Sequence, residues 1–171
     1  MASEQAMNDA DITVPDTDVT DRKEPIGRLL FIADAAVADV NDLPPAVRAM
    51  IDAAAEVYVV TPTLPGRLAW LADDVDRLRH ITDERLDTVL GHIRSIGADA
   101  RGLAGRGSVP LVVADAVAEF KPNHVLVALR SPEHANWQER GLEKRLEKRF
   151  GLPLISYAVD PRGHATGVQH P

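Results

Sequence analysis

From residue 27 onward, the hydrophobic positions alternate between two rhythms. Four compact apolar runs stand out: GRLLFIAD (Gly27–Asp34), EVYVVTPT (Glu56–Thr63), VLVAL (Val125–Leu129) and LPLISYAV (Leu152–Val159). Runs of that kind suit strands buried on both faces of a parallel sheet. Between them the apolar residues recur at helical spacing. Pro44 and Pro45 open a first helix, striped by Val47, Met50, Ile51 and Ala54. From Gly66 to Ile96 a stripe runs through Leu68, Leu71, Val75, Leu78, Ile81, Leu86, Val89, Ile93 and Ile96. It predicts one long helix, or two if Thr82-Asp83 restarts it as an N-cap, with Gly97 as its C-cap. Val109–Phe120 predicts a further helix, with Val113, Ala116, Val117 and Phe120 inward. Arg140–Phe150 predicts the last, in which Leu142, Leu146 and Phe150 form a narrow stripe beside columns of Glu and Lys/Arg. Ala98–Gly107 is shorter and more polar, as an edge strand would be. The resulting β-α-β-α-β-α-β-α-β order predicts an α/β fold: a five-stranded, mostly parallel open sheet with helices on both faces.

The flanks lack these rhythms. Residues 1–25 are polar and acidic and are expected to form a disordered tail. Residues 26–160 are expected to form the one domain, and residues 161–171 (PRGHATGVQHP) a polar C-terminal tail. The net charge is −7, but seven acids against Arg22 and Lys23 in the first 24 residues account for all but −2 of it. A near-neutral body offers little counterion release, so no nucleic-acid partner is expected. Basic clusters at Arg101–Arg106 and Lys144–Arg149 read as solvated faces. There is no cysteine, which excludes disulfides and thiolate chemistry. The opening MASEQAMNDADITVPD has no secretory pattern, and no apolar run approaches the ~20 residues of a membrane span. A cytoplasmic protein without membrane association is expected.

The loop after the fourth strand, Arg130–Glu139, faces the crevice where open α/β sheets bind ligands. It contains no glycine. The whole order of elements resembles the universal stress protein family over about Gly27 to Asp160. The resemblance rests on GRLLFIAD with its terminal aspartate, VYVVTP, GRGSVPLVVADAVAEFKPNHVLVAL as helix leading into strand, and the closing FGLPLISYAV. It implies a Rossmann-like fold of the adenine-nucleotide α-hydrolase-like type and a role in stress response. Members that bind ATP carry a glycine motif after the fourth strand: Gly, two residues, Gly, nine residues, Gly, then Ser or Thr. Here the first two glycines fall near Leu129 and Pro132, and the Gly-Ser near Arg140-Gly141. Leu129 adds a bulky side chain where a phosphate would approach, and Pro132 has no N–H for an anion nest. The chain therefore looks like the branch that does not bind ATP in the usual manner, and no cofactor is expected. P-loop, G-x-G-x-x-G, H-E-x-x-H and G-x-S-x-G motifs are absent.

Five residues are candidate ligand contacts. The resemblance gives Asp34 an adenine contact; the competing reading is a helix-capping or loop carboxylate. Thr61 ends the second strand at the same edge, where a turn-forming Thr before Pro is the alternative. Arg130 and Ser131 follow the fourth strand and could meet an anion or simply be solvated; Arg140 is a further source of charge. The six histidines show neither metal spacing nor an evident nucleophile beside them, so no metal site, no catalytic residue and no enzyme is expected. His134 in the crevice loop reads as exposed; Trp137 either covers the crevice or packs beneath the loop, the second being the preferred reading. The resemblance implies a homodimer through the last strand, with Leu154, Ile155, Tyr157 and Val159 as interface candidates, and leaves room for another protein partner. The function expected is a non-catalytic regulatory or interaction module. The alternative is a nucleotide- or small-anion-binding stress protein with altered phosphate recognition.

Overall fold

The structure, a computed structural model, describes residues 25–63, 75–106, 109–134 and 141–169. The expected acidic tail (1–25) lies almost wholly outside these residues, as do Trp137, Arg140 and the start of the long helical stripe. Six strands form one sheet: β1 (Arg28–Ala33), β2 (Glu56–Pro62), β3 (Ala100–Gly105), β4 (His124–Arg130), β5 (Leu154–Val159) and β6 (Ala165–Gln169). Their spatial order is β3-β2-β1-β4-β5-β6, with every pairing parallel except β5–β6. Helices α1 (Pro45–Ala53), α2 (Val75–Ser95), α3 (Val109–Phe120) and α4 (Leu142–Phe150) connect them. Among the described residues the long stripe is a single helix, because Thr82 turns its hydroxyl back onto the Leu78 carbonyl at 2.8 Å rather than capping a new start.

Strand alternation divides the core into two. Leu29, Phe31 and Ala33 of β1 point to one face and pack with Val47 and Ile51 of α1 and Val89 and Ile93 of α2. Leu30 and Ile32 point to the other, against Val113 and Phe120 of α3 and Leu142 and Leu146 of α4. The five β1 residues from Leu29 to Ala33 are at most 2% exposed, which is why the run is unbroken rather than alternating. The chain winds outward through β2 and β3 with α1 and α2 on one face. It then crosses back through α3 to β4, with α3 and α4 on the opposite face. Crossovers that run in both directions, with helices on opposite faces, give the doubly wound, Rossmann-like layout, and its strand order reverses between β1 and β4. β3 is the polar edge strand expected from its sequence; its Leu103 is exposed.

The C-terminal segment corrects the sequence reading. The polar tail placed at 161–171 turns back at Asp160–His164 and adds β6 antiparallel to β5, making six strands rather than five. Ala165 and Val168 pack partly against the first core, which the small and polar letters of HATGVQ hid. β5 is thus flanked by β4 and β6. The four residues expected at a dimer interface serve the chain's own two cores: Leu154 is buried in the second, Tyr157 and Val159 are buried in the first, and Ile155 is partly buried against the first. An alternating half-buried strand has the same sequence pattern whether its neighbour is a twin copy or a hairpin partner. No described helix is long and apolar enough to cross a membrane.

Candidate functional site

At the reversal point the chain leaves β1 across the end of β4. The N–H groups of Asp34 and Ala35 both donate to the Ala128 carbonyl, at 3.0 and 3.3 Å. This pins the Asp34 side chain at the carboxyl end of the sheet, where it is 1% exposed. Arg130, leaving β4, donates from Nε to Asp34 Oδ2 at 3.4 Å. Arg85 of α2 brings Nη1 to 3.7 Å from Asp34 Oδ1, close enough for an ion pair but too far for a hydrogen bond. Among the described residues Oδ1 has no hydrogen-bond partner although it is buried. The Asp34 carboxyl is pushed above its ordinary range by burial, against the opposing pull of the Arg130 and Arg85 charges. The Arg85 guanidinium is pushed below its ordinary value, again first by burial and further by the Arg130 charge, while Asp34 opposes the shift. One carboxylate therefore serves two guanidiniums in a poorly hydrated place.

These groups line an open cleft of about 590 Å³, together with His134, Val159 and the turn that follows β5. The turn is internally tied. Asp160 Oδ1 accepts from the N–H groups of Arg162 (2.8 Å) and His164 (2.9 Å), which holds its carboxyl below the ordinary range, the His164 bond contributing most. Gly163 adopts φ 84° and passes so close to Ala38 that an added Cβ would lie 2.6 Å from the Ala38 Cβ. Its carbonyl accepts the Ala38 N–H at 2.9 Å, and His164 Nδ1 lies 3.1 Å from Asp42 Oδ2. The β5–β6 hairpin is thereby latched to the segment after β1, and Arg162 is carried to the cleft.

The sequence candidates separate in three dimensions. Asp34 and Arg130 are in the cleft and bonded to each other; Asp34 lies in the bend that follows β1, with its carboxylate buried rather than in water. Thr61 is fully buried beneath α2; its hydroxyl donates to the Thr82 carbonyl at 3.3 Å, and it does not line the cleft. Ser131 is buried too, with Oγ 3.2 Å from His134 Nδ1. The turn at 131–134 brings these two residues, three apart in sequence, together. Ser131 does not line the cleft, while His134 does. Arg140 lies outside the described residues. Leu129 turns toward the core beneath α3 and α4, so its side chain is not what would crowd a phosphate. The obstacle is in the backbone: the Ser131 N–H donates to the Val159 carbonyl (2.9 Å), Pro132 has none, and the His134 N–H donates to the Ser131 carbonyl (2.8 Å).

Arg85 escaped the sequence reading, and so did the turn at 160–164. A signal for Arg85 existed. It lies three residues after Thr82 and four before Val89, both buried, so a charge stands in the inward column of α2. No group of three or more metal-ligating side chains occurs among the described residues.

Comparison with known proteins finds no matching family model and no matching curated protein. Among solved structures, the chain aligns with a universal stress protein from Archaeoglobus fulgidus at 17% identity and a TM-score of 0.49, over 77% of this chain and 93% of that one. A superposition that loose adds nothing to what the strand order already says.

Proposed function

We propose that the chain is a non-catalytic module of the universal stress type, cytoplasmic and regulatory, whose switch-point cleft takes a small ligand other than ATP. The reading joins the sequence resemblance to the doubly wound sheet. The observation that carries it is the state of the backbone after β4. Phosphates in this position need successive free N–H groups close to the chain. At 131–134 two are committed internally and one is missing. Absence of turnover is supported by Ser131, whose hydroxyl has a histidine neighbour but is buried outside the cleft lining. Isothermal titration of the full chain with Mg-ATP tests the proposal: no heat and no thermal shift are expected, and tight magnesium-dependent binding rejects it.

A second reading is favoured by Arg85, Arg130 and Arg162 at one cleft. In it a nucleotide monophosphate is held by guanidinium side chains instead of backbone. AMP binding that weakens in Arg162→Gln would support this alternative. In either reading self-association uses β6 rather than β5, because β6 is the outermost strand on its side of the described sheet and leaves a backbone edge open. Sedimentation velocity showing only monomer across the accessible concentration range rejects that part.

A further inference from the structure

We infer that the cleft binds a small hydroxycarboxylic acid, with its carboxylate on Arg85 and its hydroxyl on Asp34 Oδ1. This deepens the proposal of a non-ATP ligand and rests on it.

Two complementary groups stand at the cleft without hydrogen bonds between them. Arg85 carries five N–H donors, its side chain is only 22% exposed, and its ion-pair partner among the described residues is Asp34 at 3.7 Å. Asp34 Oδ1 accepts nothing, and its residue is 1% exposed. Buried polar atoms in folded proteins are nearly always satisfied, so a buried carboxylate oxygen without a hydrogen-bond partner, beside a guanidinium that is ion-paired but not hydrogen-bonded to it, marks a missing third party at the cavity. That party must accept from a guanidinium and donate to a carboxylate oxygen at neighbouring atoms. A carboxylate beside a hydroxyl does both, and a guanidinium fork matches a carboxylate in shape.

Charge narrows the class. Arg85, Arg130 and Arg162 line the cleft against Asp34 and Asp160, and the Asp160 oxygen that serves the turn is already held by two N–H groups. Among the described residues that line the cleft, guanidiniums outnumber carboxylates, which favours an anionic ligand. A zwitterionic amino acid would satisfy Asp34 with its ammonium but brings no net negative charge. Phosphate would have to do without the backbone donors it ordinarily uses here.

Thermal shift and isothermal titration on the full chain provide the test, with lactate and malate as probes. Their counterparts lacking the hydroxyl, propionate and succinate, serve as comparisons, alongside alanine, inorganic phosphate, AMP and Mg-ATP. The hydroxy acids are expected to bind, and the deoxy acids about tenfold or more weakly, since a site built around a hydroxyl rejects the analogue without it. Arg85→Lys, which keeps the charge and loses the fork, is expected to weaken malate binding by about tenfold as well. Equal binding of malate and succinate by the unaltered protein overturns the inference whatever the variant does. So does stronger binding of phosphate, AMP or alanine. Silence from every probe, Mg-ATP included, also overturns it, water then being what satisfies Asp34, and leaves the proposed function standing. Tight Mg-ATP binding instead removes the reading beneath both.

Discussion

Replacing Gly163 by alanine puts the latch between the β5–β6 hairpin and the rest of the fold to the test. Two costs add at this position. The backbone is at φ 84°, left-handed territory where an L side chain costs about 1–2 kcal/mol. The new Cβ would also lie 2.6 Å from the Ala38 Cβ and 2.7 Å from the Ala38 nitrogen. That nitrogen belongs to a backbone held in place by its own hydrogen bond to the Gly163 carbonyl, so it cannot swing aside as a side-chain tip would. Overpacking against such a wall costs roughly 1–3 kcal/mol more, for a total of about 2–5 kcal/mol. Gly167 supplies the control. It has φ 63° with nothing within 4 Å of an added Cβ, so Gly167→Ala carries only the conformational cost, about 1–2 kcal/mol. Urea denaturation measures both, compared through midpoints at unchanged m. Gly163→Ala is expected to lose clearly more than Gly167→Ala, with faster hydrogen exchange in β6. Equal losses, or a smaller one for Gly163→Ala, would refute the contact with Ala38 and with it the docked turn as a wall of the cleft.

Three further outcomes are expected. Because burial raises the Asp34 carboxyl above its unfolded value, its contribution to stability is fully present below the ordinary carboxylate range and is lost as pH rises through the raised native value. Denaturation of the wild type and Asp34→Asn between about pH 4 and 7 should therefore show the wild type's relative advantage shrinking as pH rises; a growing advantage contradicts the dominance of desolvation. Ser156→Ala removes a buried hydroxyl that donates to Glu143 Oε1 at 2.6 Å and ties β5 to α4, and should cost about 1.5–3 kcal/mol by urea melts, as for hydrogen bonds to charged groups. Thr61→Val, which keeps the shape and loses the bond to the Thr82 carbonyl, should cost about 1 kcal/mol and leave binding of any cleft ligand unchanged; altered affinity would return Thr61 to the site.

The predicted elements and the observed ones agree where burial alone sets the pattern. Five strands, the single helix at 109–120, the proline-opened α1 and the polar edge strand were all legible, because the period of apolar residues records which side of an element meets the core. Such a pattern says how much surface a residue hides, and nothing about which partner hides it. Leu154, Tyr157 and Val159 look the same beneath a hairpin as against a second copy. Only the tertiary structure could show that β6 fills that place, since its small and polar residues become a strand by pairing with β5. The cleft depends still more on contacts between distant elements. Asp34 was visible at the end of its strand, but its meeting with Arg85 and Arg130 required three elements to converge at the β1–β4 reversal. The backbone donors of 131–134 depended likewise on Val159 lying alongside. Hydrogen bonds and ion pairs between such segments are fixed by packing, and no local period in the chain encodes them.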